Sequence, residues 1–249
     1  MQKIHDHIVL MKAIVGSHNY NLNTDTSDKD YKYFVLPTFD ELYCGKFFSR
    51  AKESEAEDYT VHDIRKLSHL FWKANVNFLE VLYGSPIFWK EATDLMDFLV
   101  KNRQDLCTMN LPYLYDACIG MAINYSHRFL KATPSSEASI EKYGYATKCM
   151  YQAVRILTFL IRMKESHFDF YESIWYELGE ERDMLMAIKQ GKMSFDTANI
   201  LYYKHYLFRA KQLEQDFKSQ KPNENLLNAL NNTIKSFLYQ QIQKGNIVP

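Results

Sequence analysis

Only 8 glycines and 6 prolines punctuate this chain of 249 residues, well below the roughly 7% and 5% at which they usually occur. Few turns require long elements. From Ile64 onward, apolar residues recur at three- and four-residue steps, in Ile64, Leu67, Leu70 and Phe71 and again in Ala146, Met150, Ala153, Val154, Leu157, Leu160 and Ile161. That spacing lines one side of an α-helix. It predicts further helices across Trp89–Asn102, Leu111–Leu130, Phe168–Gln190, Asp196–Lys218 and Asn223–Lys244. The first sixty residues are patterned differently. The short apolar runs Ile8–Val15 and Tyr31–Leu36 and the alternating segment Asp58–His62, each bounded by polar residues, Gly or Pro, predict strands. Loops are expected at Thr133–Ser139 and at Lys221-Pro222-Asn223. The expected fold class is α+β, a small N-terminal mixed β-sheet followed by a mostly α-helical C-terminal region.

Composition narrows the function classes. At 47% hydrophobic and 24% charged residues, the chain has enough apolar surface to offset the entropy of ordering, which excludes disorder. Its apolar runs are far shorter than the ~18 residues of a spanning helix, and His5, Asp6, His7 and Lys12 interrupt any signal-peptide core. A cytoplasmic protein without a membrane span is expected. The 30 basic and 30 acidic residues cancel, which removes a whole-protein electrostatic drive toward nucleic acid. Local basic clusters remain at Lys101 and Arg103, at His127, Arg128 and Lys131, and at Arg209 and Lys211, each equally readable as a solvated helix face. Cys44, Cys107, Cys118 and Cys149 form no C-x-x-C pair, which argues for reduced thiols over a zinc ribbon. Apart from His5 and His7, no pair of the histidines His5, His7, His18 and His62 has good ligand geometry on a single predicted element, which argues against a zinc site.

The chemistry concentrates in Ile14–Pro37. Gly16-Ser17 follows an apolar strand, and ten residues later Asp28 and Asp30 open the next one. On extended backbone, side chains two apart share a face, separated by about 7 Å. Two such carboxylates repel unless a divalent cation lies between them, and hard oxygen donors suit Mg²⁺ or Mn²⁺. Gly16 permits a sharp turn or a close approach, and Ser17 adds a hydroxyl and an amide suited to phosphate. Together they are the minimum for in-line attack on a nucleotide α-phosphate. An Asp-rich solvated turn is the plain alternative, but four fixed residues at this spacing favour the functional reading.

The string G-S-x₁₀-D-x-D resembles the signature of the DNA polymerase β nucleotidyltransferase superfamily. That resemblance implies a sheet presenting these two aspartates plus a third carboxylate from a neighbouring strand. Asp58 is the candidate, since it opens the segment DYTVH, in which Asp58, Thr60 and His62 share one face. More of the chain is similar to one branch, the RNA repair pathway DNA polymerase β family. The matching strings are IRKLSHLF from Ile64, NVNFLEVLYG from Asn75, KYGYATKCMYQAVRIL from Lys142 and IKQGKMSF from Ile188. The chain departs from the family pattern at Asn21 and Lys32, where glycine is usual, at Val76 in place of proline, and at Gln152 in place of histidine.

Lys148 and Arg155 are seven apart, nearly one azimuth on a helix, with Tyr151 and Gln152 between them. Spacing alone allows a solvated ridge. The resemblance implies that both grip a triphosphate. Asn75 and Glu80 match a family string or shape a helix junction, and Tyr20 and Tyr145 are candidates for contact with a base or ribose.

The expected function is template-independent transfer of a nucleoside monophosphate from an NTP, with release of pyrophosphate. The metal ligands and catalytic residues are Asp28, Asp30 and Asp58, the phosphate-binding residues Gly16, Ser17, Lys148 and Arg155, and the metal Mg²⁺ or Mn²⁺. The acceptor implied by the resemblance is an RNA 3′ end. A protein tyrosine is the alternative acceptor, and a non-catalytic nucleotide- or RNA-binding module is the rival class. The expected division is a nucleotidyltransferase core over residues 1–85 and a helical domain over 86–249.

Overall fold

The computed structural model describes residues 3–25, 27–52, 58–84, 88–89 and 94–248. By packing, the chain forms two compact units. One comprises Met1–Asn110 with Pro222–Pro249, the other Leu111–Lys221. These divisions do not coincide with the 85/86 line drawn from sequence.

The first unit holds the sheet. Its strands are β1 (Lys3–Ile4), β2 (His7–Val15), β3 (Asp30–Val35), β4 (Ser49–Lys52), β5 (Asp58–Asp63) and β6 (Phe88–Trp89). They run in the order β1-β2-β3-β5-β4, with β6 also paired to β2. β2 and β3 are antiparallel, whereas β3 and β5 run parallel, so the sheet is mixed as expected. The three strands read from apolar runs are present with nearly the expected bounds. β1, β4 and β6 were not read, since each has only two to four residues and too few side chains to show a period.

Helices Leu67–Trp72, Val76–Leu79, Asp94–Lys101 and Arg103–Thr108 belong to this unit, and the terminal helix Glu224–Gln243 packs against the first and third of them. The Asn223 side-chain amide oxygen caps that last helix by accepting from Leu226 N–H at 3.0 Å, while the Asn223 backbone N–H donates to the Met109 carbonyl at 2.8 Å. The break expected at Lys221-Pro222-Asn223 is therefore where the chain returns to the first unit. The helix expected from Trp89 begins only at Asp94, because Phe88–Trp89 is strand; residues 90–93 lie outside the described residues.

Gly84 closes the segment that follows Val76–Leu79. A Cβ there would stand 2.3 Å from the Ile14 carbonyl oxygen of β2, so only glycine lets this segment lie against the strand end. Main chain cannot move aside as a flexible side chain can. Gly84→Ala is expected to destabilise the fold by roughly 1–3 kcal/mol, read as a lower urea midpoint; an unchanged midpoint would refute the close approach.

The second unit is helical among its described residues. Thr147–Glu165 is its centre, packed by Leu111–Ser126, Phe170–Ile174 and Glu180–Lys189. The single helix expected over Phe168–Gln190 is two, separated at Trp175–Gly179. Arg162 stitches that break, its Nε donating to the Ser173 carbonyl at 3.1 Å and its Nη1 to Glu181 at 2.6 Å. The Asp196–Lys218 stretch is likewise divided, with a π-helical turn at Leu201–Leu207.

Candidate active site

Parallel pairing of β3 with β5 puts Asp30 directly beside Asp58, followed by Lys32 beside Thr60 and Phe34 beside His62. In-register residues on neighbouring parallel strands share a face, with strands about 4.8 Å apart. Two carboxylates from distant parts of the sequence thus stand side by side. Both strands become more buried away from this end, which leaves the acids at the more open end of the sheet. Asp28 is placed differently from the expectation. β3 begins at Asp30, so Asp28 is an exposed loop residue rather than its neighbour along a strand.

β2 ends at Val15, opposite Asp30, and turns at once into the 3₁₀ helix Gly16–Asn19. Gly16 has φ +73°, and a Cβ on it would lie 2.8 Å from Asp30 Oδ2. The turn is therefore built around the Asp30 carboxylate. Gly16 N–H donates to Glu80 Oε2 at 2.8 Å, so this amide is already committed. Of the Gly-Ser pair, Ser17 is the one with a hydroxyl to offer a phosphate.

The loop onward is tied back. Leu22 N–H donates to the Ser17 carbonyl at 2.9 Å, and His18 Nε2 lies 3.1 Å from the Ser27 carbonyl. Asn21 has φ +60°. This left-handed conformation suits glycine best and asparagine next, so the departure at Asn21 preserves the backbone. Val76 is equally compatible: it occupies the first position of a helix capped by Asn75, where proline is favoured but not required. Lys32 extends over the Phe78 ring at 5.3 Å. Gln152 accepts from Arg155 Nε at 3.0 Å.

His62 lies on the same face, edge-on to Phe78 at 5.1 Å, with Nδ1 3.1 Å from Ser49 Oγ. Burial first, then the ammonium groups of Lys32 and Lys66, lower its pKa to about 4. The unfolded chain takes up this proton near pH 6.5 and the folded chain does not. Stability is therefore fully present above pH 6.5 and declines as pH falls toward 4. Wild type should lose more of its urea midpoint between pH 7 and pH 5 than His62→Gln does; parallel pH profiles would contradict this.

In the second unit, Lys148 is exposed near the start of Thr147–Glu165. Arg155 is only 3% exposed, and Tyr151 2%. The ridge predicted from spacing is thus solvent-facing at Lys148 and buried at Arg155, because neighbouring helices cover this helix on several sides. Tyr20 and Tyr145 are core side chains, the Tyr145 hydroxyl donating to the Met193 carbonyl at 2.9 Å. One arginine of each basic cluster is engaged: Arg103 stacks on Tyr83, Arg128 on Tyr125, and Arg209 pairs with Glu165. His7 is buried against Glu41.

Asp30 and Asp58 supply adjacent hard oxygen donors, and the space left by Gly16 seats one of them. This donor chemistry fits Mg²⁺ or Mn²⁺. Among the described residues no three His, Cys, Asp or Glu side chains are gathered as a ready ligand set. The sheet builds the two-carboxylate part, and Asp28 stands on the adjoining loop. Glu80 is the residue whose part sequence reasoning left open; its position in NVNFLEVLYG was the available signal.

Among solved structures, the chain is similar to a nucleotidyltransferase-like protein from Exiguobacterium sibiricum, at 14% identity over 97% of this chain and 87% of that one, with a TM-score of 0.25. No curated protein matches it. The model of the RNA repair pathway DNA polymerase beta family matches residues 1–238. A match over nearly the whole length means that the chain belongs to the RNA repair pathway DNA polymerase beta family and is an enzyme of the polymerase β-like nucleotidyltransferase type.

Proposed function

We propose that the chain moves a nucleoside monophosphate from an NTP to the 3′ hydroxyl of an RNA end, without a template and with release of pyrophosphate. The observation that carries this is the Asp30–Asp58 register pair beside Gly16. Asp28, Asp30 and Asp58 would hold Mg²⁺ or Mn²⁺, which when bound neutralises charge on the attacking and leaving oxygens. Asp58 helps to remove the acceptor proton. The Ser17 hydroxyl and the exposed Lys148 are the proposed phosphate-binding groups and Gly16 shapes the turn, whereas Arg155 lies buried with its Nε on Gln152. We place the reaction in the cytoplasm, where the four free cysteines stay reduced.

The family's description supports an RNA acceptor. The zero net charge favours contact with a short RNA end over a long groove, since each phosphate contact calls for a cation. The test is incubation with NTPs labelled at the α-phosphate, Mg²⁺, and RNA, protein or small-molecule acceptors, beside the Asp28→Ala/Asp30→Ala chain. Label on RNA that disappears in the double variant is expected. Label on a protein tyrosine would transfer the reading to protein nucleotidylation. Nucleotide binding without turnover on any acceptor would make the chain a binding module.

A further inference from the structure

Glu80 is an acidic residue with 1% exposure, and carboxylates are buried to this degree when donors hold them. Its Oε2 accepts from Gly16 N–H at 2.8 Å and from Asn19 Nδ2 at 3.4 Å, and Asn19 Nδ2 also donates to the Glu80 carbonyl at 3.1 Å. Gly16 and Asn19 are the first and last residues of the 3₁₀ turn. One side chain therefore spans the whole turn from beneath. Against the same Gly16, at 2.8 Å from where its Cβ would be, stands Asp30 Oδ2. The turn that Glu80 holds is therefore the one that the Asp30 carboxylate stands beside.

The segment bearing Glu80 is itself fixed from both sides. Asn75 caps its helix by accepting from Asn77 N–H at 3.0 Å, and Gly84 abuts the Ile14 carbonyl. We infer that Glu80 is a positioning residue of the active site, holding the Gly16–Asn19 turn where the Asp30 carboxylate must stand to receive a metal ion. It acts through Gly16, not on the substrate, and the inference rests on the nucleotidyl-transfer reading. A merely structural Glu80 would affect stability alone. A positioning Glu80 also sets how tightly the folded protein holds its divalent ion, since partners one layer behind a metal ligand typically change affinity or activity by roughly 10- to 100-fold.

The test compares wild type with Glu80→Ala and Glu80→Gln by three readouts: hydrogen exchange at the Gly16 amide, Mn²⁺ binding followed by EPR in the presence of a non-hydrolysable NTP, and pyrophosphate release. In Glu80→Ala, Gly16 exchange should accelerate and the Mn²⁺ half-saturation should rise by roughly tenfold or more. Glu80→Gln keeps a neutral acceptor for Gly16 N–H and should recover much of both; it also serves if the alanine chain fails to fold. Folded variants with wild-type Gly16 exchange or wild-type Mn²⁺ half-saturation overturn the inference. A wild-type chain that neither binds Mn²⁺ with the nucleotide nor releases pyrophosphate overturns the underlying reading instead, and shows this without any variant.

Discussion

Asp30→Asn is expected to lower pyrophosphate release by at least about 100-fold in a chain that still folds. Asp30 and Asp58 are directly adjacent across parallel strands, at the more open end of the sheet. The asparagine keeps size and hydrogen-bonding capacity while removing the charge on which the proposed metal site depends. Asp58→Asn should behave alike. The double variant should be scarcely less active than either single one, because groups acting on the same ions form a unit. Activity and thermal melts on the same preparations check this. A variant that melts lower and retains near-wild-type turnover would mean that the pair serves the fold and not the chemistry.

Gly16→Ala should be the most damaging change of a single methyl group near the site. At φ +73° an L-residue costs about 1–2 kcal/mol, and the new Cβ would meet Asp30 Oδ2 at 2.8 Å. That carboxylate can swing away, so the fold survives with the strain of the turn while the proposed metal ligand leaves its place. A misplacement of about 1 Å can cost 100-fold in rate, and a loss of that order is expected. Wild-type turnover in a folded Gly16→Ala chain would mean that Asp30 has no fixed seat.

Much of this could be read from sequence because the information was local. The β2 and β3 runs are short, apolar and ended by Gly16 and Pro37, and the Gly-Ser and Asp-x-Asp spacing is visible on one line of text. Register was not visible. Nothing in DYTVH states that it pairs parallel to β3 or that Asp58 falls opposite Asp30 rather than Lys32, since a shift of two residues would keep the same alternation on the same face. Asp28 misled for a related reason: the two-residue period applies only where the backbone is strand, and the strand begins after it. Arg155 shows the limit of helical periodicity, which gives a residue's azimuth but not what covers it. The neighbouring helices bury that side. SRAK in β4 has four exposed residues and therefore carries no burial pattern to read. Glu80 was named from its family string but its part stayed open, because a single acid at a helix junction looks ordinary and only the fold brings it against Gly16, 64 residues away.

The most direct measurement is a crystal structure of the chain with a non-hydrolysable NTP and Mn²⁺, with the ion located by its anomalous signal. The predicted result is a peak within about 2.0–2.3 Å of carboxylate oxygens of both Asp30 and Asp58, with nucleotide phosphate completing its shell. A peak elsewhere, or a lysine ammonium occupying the space between those two carboxylates, would contradict the account.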